Sequence, residues 1–140
     1  MIKSIIKMKK IQILGLIIIS MFVLIACTRK EEINMTYQMI TMEEAKTIFE
    51  TEGDYVILDV RRMDEFESGH IPNAVNVPHE VIGDEKIEEL PDKDQRIYVY
   101  CRSGNRSKQA AEKLVQLGYT NIIEFGGILD WTGEVETGAK

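Results

Sequence analysis

The stretch "YCRSGNRS", residues 100–107, gathers a thiol, two guanidinium groups, two serine hydroxyls, an amide and a glycine within a few residues. Cys101 closes the apolar run "RIYVY", and Arg102, Ser103, Gly104, Asn105, Arg106 and Ser107 follow it. Beyond them, Ala110, Ala111, Leu114, Val115 and Leu117 repeat at helical spacing, with Gly118 as a stop signal. The spacing predicts a strand ending at Cys101 and a helix beginning near Ser107, with the polar loop curled at the helix start. A helix N-terminus carries about half a positive charge, and converging amides add to it. Arg102 and Arg106 strengthen that field, so Cys101 is expected as a thiolate, the form in which cysteine is a nucleophile. Gly104 permits the tight curl that converging amides require. Such a loop suits a sulfur anion, or an anionic substrate approaching one.

Cysteine usage sharpens this reading. Cys27 and Cys101 are the only two cysteines. Cys27 follows the charge-free run "IQILGLIIISMFVLIA", residues 11–26, itself preceded by Lys3, Lys7, Lys9 and Lys10. That run is shorter than the about 20 residues a bilayer span needs, and fits the core of a signal peptide. "LIAC" resembles the bacterial lipobox, in which the cysteine is lipidated and becomes the mature N-terminus. Residues 1–26 are therefore expected to be a lipoprotein signal peptide, with Cys27 carrying acyl chains such as palmitate. Two or more chains would anchor the protein stably to the bacterial cell membrane, on its extracytoplasmic side. Cys101 would then be an unpaired thiol in an oxidising compartment, which favours a chemical role. Two cysteines and two histidines without clustering argue against a structural zinc site. Residues 27–140 hold 13 basic against 23 acidic residues, a net charge of −10 that argues against nucleic-acid binding by simple electrostatics.

The elements that must position the loop are legible as alternation. "TRKEEINMT", residues 28–36, is short, polar and unpatterned, so residues 27–36 read as a tether. Thr41 and Glu44 fit a capping box opening a helix after "YQMI". "YVILDV" (55–60), "AVNV" (74–77), "IYVY" (97–100) and "NIIEF" (121–125) read as further strands, the continuous apolar runs indicating burial on both faces. Five strands alternating with helices predict a parallel α/β sheet covered on both sides. Ligands in such sheets bind beyond the carboxyl ends of the strands, which is where Cys101 falls. Asp59 and Arg61, at the end of another strand, share that edge.

Three ordered segments resemble the single-domain rhodaneses, a family of sulfurtransferases. "CRSGNRS" (101–107) is similar to the family's active-site loop. "LDVRRMDEFESGHIPNAVNVP" (58–78) is similar to its Asp-Val-Arg, Glu-Phe, Gly-His-Ile-Pro signature, and "GGILDWTGE" (126–134) to its closing Gly-Gly and Trp segment. Asn73 stands where the family usually has glycine, and asparagine tolerates positive φ better than most residues. The resemblance implies a rhodanese-like domain over residues 37–137, an α/β fold whose five-stranded, mostly parallel central sheet is flanked by helices. It implies that Cys101 takes sulfane sulfur from a small anionic donor such as thiosulfate, and yields it to a thiol or to cyanide. The backbone from Arg102 to Ser107 would cradle the persulfide, and Arg102 and Arg106 would orient anionic donors. No cofactor is implied, and a monomer is expected.

Each side chain also has a plainer reading. Arg106 could instead pair with an acid on the sheet edge, and Arg102 could point to solvent. Asp59 and Arg61 are expected to support the loop by hydrogen bonding rather than to do chemistry. Glu65 and His70 read as structural, His70 as a brace within a turn. Trp131 is expected to pack against the sheet, and His79 is assigned nothing. Rival functions are a membrane-tethered persulfide or sulfide carrier and a binding module without turnover. A cysteine-dependent phosphatase or arsenate reductase is weaker, because four residues separate Cys101 from Arg106 where those enzymes have five.

Overall fold

The computed structural model describes residues 36–83 and 86–139. The expected signal segment, the lipidation at Cys27 and all of the tether but Thr36 lie outside the described residues. The described elements run in the order β1 (Gln38–Met39), α1 (Met42–Thr51), β2 (Val56–Asp59), α2 (Met63–Ser68), β3 (Val75–Asn76), β4 (Ile97–Cys101), α3 (Asn105–Gln116) and β5 (Ile122–Gly127), followed by a 3₁₀ turn, Ile128–Asp130; the expected alternation of strands with helices holds except between β3 and β4. These five strands form one sheet in the order β1-β5-β4-β2-β3. Every strand pair among the described residues is parallel, so the expected α/β sheet is present.

The central strand β4 is buried along its whole length, which is why its sequence is continuously apolar rather than alternating. Its side chains nevertheless divide by parity. Ile97, Val99 and Cys101 join Leu58 and the α3 residues Ala110, Ala111 and Leu114 in one core layer. Tyr98 and Tyr100 join Ile57, Ile123 and Phe125 in the other, beneath Ile48 and Phe49 of α1. Phe49 meets Tyr98 and Phe125 edge-on, with ring centroids 5.1 and 5.5 Å apart. Each of these large side chains contributes about 1.5–3 kcal/mol by its burial. The sheet thus holds Cys101 at the carboxyl end of its most enclosed strand.

Local rules set the helix starts. Thr41 and Glu44 form the expected capping box: the Glu44 amide donates to Thr41 Oγ1 at 3.2 Å, and the Thr41 amide donates to Glu44 Oε2 at 2.7 Å. The helix after Cys101 begins at Asn105, two residues earlier than its spacing predicts. Gly104 is its N-cap with φ 91°, a left-handed conformation that lets the chain leave β4 and enter α3 without a longer loop. Asn73 has φ 64°, in keeping with its place in the turn before β3.

Candidate active site

Cys101 is the last residue of β4, and its sulfur faces the N-terminus of α3. The Gly104 amide donates to Cys101 Sγ at 3.1 Å. The thiol is buried, and burial by itself pushes its pKa up. Against that, the hydroxyl and amide of Ser107 and the amides of Ser103 and Gly104 favour the anion, and the net result lies below the ordinary thiol value. Neutral dipoles of the loop, more than the arginines, therefore supply the largest of these stabilising interactions.

The two arginines part company. Both terminal nitrogens of Arg106 donate to Glu65, Nη1 to Oε2 at 2.7 Å and Nη2 to Oε1 at 2.8 Å, a bidentate pair between α3 and α2. Of the two readings of Arg106, the structure contains the pairing with an acid. Its charge still acts on the site, since Cys101 and Arg106 interact electrostatically. Arg106 holds the Glu65 carboxyl down at about 2, more strongly than partial burial raises it. Arg102 is exposed and forms no ion pair among the described residues. Ser103 and Asn105 are exposed as well, while Gly104 and Ser107 are buried.

Asp59 and Arg61 make a buried pair of their own. Arg61 Nη2 lies 2.6 Å from Asp59 Oδ2 and also donates to the Gly69 carbonyl at 2.7 Å. These bonds brace the segment from α2 into the following turn rather than reaching the 101–107 loop, as the sequence suggested they would. His70 belongs to the same brace: its Nδ1 is 2.9 Å from the Phe66 carbonyl, and its ring stacks on Phe66 at 3.7 Å. His79 Nδ1 sits 3.2 Å from a Glu80 carboxylate oxygen, a neighbour not expected from sequence. Trp131 lies against Phe49 of α1, 6.2 Å between centroids, so it reaches the sheet through that ring.

Two residues at the site carried no assigned role. A Cβ on Gly127 would fall 2.3 Å from the Arg102 carbonyl oxygen and 2.5 Å from Ser103 Cα, so only glycine lets β5 run this close to the loop. Cys101 and Gly127 are register partners, beyond an irregularity that follows Val99. Glu124, on β5, is 2% exposed. Its Oε1 accepts from Ser107 Oγ at 2.6 Å and from the Gly126 amide at 3.0 Å. A lone acid set between the apolar Ile122, Ile123 and Phe125 was the available signal for it.

Residues 41–134 match the model of the Rhodanese-like domain. The chain is 34% identical over 73 residues to a thiosulfate sulfurtransferase of Escherichia coli, covering 52% of this chain and 70% of that protein. It is 36% identical over 98 residues to a putative sulfur carrier protein of Bacillus subtilis, covering 69% and 52%. Several curated relatives are longer proteins, of which this chain spans 22–52%. Among solved structures, a rhodanese with anions from E. coli superposes with TM-score 0.55 at 31% identity, covering 60% of this chain and 99% of that one.

Proposed function

The chain belongs to the rhodanese-like domain family, and from that premise we propose that it is a sulfurtransferase working through a persulfide on Cys101. One observation carries the reading: a thiol of lowered pKa sits at the carboxyl end of the central strand, with loop amides directed at its sulfur. The Cys101 thiolate attacks the outer sulfur of a donor such as thiosulfate. A new S–S bond forms at Cys101, the donor's own S–S bond breaks, and sulfite leaves with the electron pair. The loop amides then face the terminal sulfur of an anionic persulfide, where preorganised donors are most effective. A nucleophilic acceptor, cyanide or a thiol, takes that sulfur and restores the thiolate, a double displacement through a covalent intermediate. Arg102, exposed within the loop, attracts and orients the anionic donor, while Arg106 contributes its charge from within the Glu65 pair.

The test is mass spectrometry of the protein after thiosulfate treatment. Cys101 should gain one sulfur atom, and cyanide should remove it with release of thiocyanate. An unmodified Cys101 would overturn the reading. Delivery of the same persulfide to a protein thiol is the second reading, favoured by the similarity to a putative sulfur carrier protein. We also propose that Cys27 is lipidated and anchors the mature protein to the extracytoplasmic side of the bacterial membrane. Cys27→Ser should then leave an uncut precursor, and wild-type protein that keeps residues 1–26 and carries no lipid would refute the anchor.

A further inference from the structure

Ser107 has one hydroxyl proton and three acceptors that compete for it: the Gly126 carbonyl at a long 3.3 Å, Cys101 and Glu124. Cys101, as thiolate or persulfide, would accept it, and Ser107 ranks among the groups that favour the Cys101 anion. Yet the same hydroxyl lies 2.6 Å from Glu124 Oε1, the length of a charge-assisted bond to a carboxylate. Ser107 is fully buried and Glu124 nearly so, so water does not readily replace either contact. Glu124 is anchored by the Gly126 amide at 3.0 Å, which fixes Oε1 on the hydroxyl. A hydroxyl can accept from a thiol while donating to a carboxylate, but it cannot donate to two anions at once.

We propose that Glu124 is a positioning residue that sets the reactivity of Cys101 by holding the Ser107 hydroxyl proton away from the sulfur. With the hydroxyl drawn toward Glu124, the thiolate receives only part of the support Ser107 could give and leans more on the amides of Ser103, Gly104 and Ser107. It is then less stabilised and correspondingly more nucleophilic, because thiolate nucleophilicity falls as the thiol becomes more acidic. The proposal rests on the sulfur-transfer reading for its purpose, but not for its test. The charged and titratable groups that interact with Cys101 or Glu124 include Arg106 of α3, which interacts with Cys101, and Tyr37, which feels both Glu124 and Glu112. None of them is altered in the variants below.

The experiment titrates Cys101 in the full chain without any sulfur donor, by thiolate absorbance and by the pH dependence of alkylation with iodoacetamide. Glu124→Gln keeps the shape but offers Ser107 only a neutral amide oxygen, so it loosens the hold on the hydroxyl and should move the midpoint down by up to about one pH unit, the worth of one hydrogen bond. Ser107→Ala should raise the midpoint more in the Glu124→Gln background than in wild type, because there the sulfur holds the larger share of the hydroxyl. Glu124→Asp keeps the charge but withdraws from Ser107, and should also lower the midpoint, which covers a Gln variant that fails to fold. An unchanged or raised midpoint in the folded Glu124 variants, or an equal effect of Ser107→Ala in both backgrounds, would overturn the proposal. Such a result would leave persulfide formation on Cys101 untouched, since that is read separately by mass.

Discussion

Cys101 has to remain charged in a place that burial makes hostile to charge. Desolvation and hydrogen bonding oppose each other there, and the hydrogen bonds prevail, leaving the pKa lowered. The alkylation rate of Cys101 should therefore fall off with decreasing pH around a midpoint below that of an unperturbed thiol. A midpoint at or above that of glutathione, measured side by side, would contradict this. Cys101→Ser should abolish sulfur transfer and leave the unfolding transition nearly unchanged. The hydroxyl fits the same space but stays un-ionised at neutral pH. Thiosulfate:cyanide activity in that variant close to wild type would remove Cys101 from the chemistry.

At the scale of elements, the site is a strand end, a helix start and a glycine edge brought together. Gly127→Ala should push the loop off β5, because its new methyl would meet Arg102 and Ser103 backbone that cannot yield as a side chain would. We expect a loss of about 1–3 kcal/mol by denaturant titration, as for overpacking elsewhere, with activity reduced further than stability alone explains. Loop length should matter in the same way. Inserting one glycine after Gly104 should weaken sulfur transfer, and wild type should hydrolyse an aryl phosphate negligibly, since phosphoryl transfer needs donors for several equatorial oxygens. Aryl phosphatase rates comparable with sulfur transfer would restore the phosphatase alternative. The sheet and α1 were legible because their signals are local: apolar runs for β2, β4 and β5, and the Thr41–Glu44 box for α1. The start of α3 was misread because Gly104 turns the chain in a single residue, an economy that periodicity over Ala110–Leu117 does not register. α2, only six residues long, is too short to show a period. The Arg106–Glu65 pair was beyond reach for another reason: its partners lie 41 positions apart, and either acid or solvent would have suited the arginine equally from sequence.

Across the whole molecule, the Glu65–Arg106 pair joins α2 to α3 over the carboxyl ends of β2 and β4. Glu65 titrates at about 2 in the folded protein against 4.5 as its reference. Its folded pKa is the lower one, so the pair stabilises the fold fully above about 4.5, and that contribution is lost as pH falls from there toward 2. Partial solvent exposure limits it to about 1–2 kcal/mol. Glu65→Gln should be less stable than wild type by that amount at neutral pH, and the two should converge in acid; urea unfolding across that range reads both. Parallel stability curves at all pH values would show that the pair contributes nothing. The same sheet order places β1 and β3, two residues each, at its two edges. A foreign strand seeking to zip onto a sheet needs a run of unpaired amides and carbonyls, and these edges offer almost none. Crowding many copies together, whether by fusion into longer chains or by concentration on a surface, should leave the sheets separate, with little route from a dense population of folded domains to cross-β aggregate.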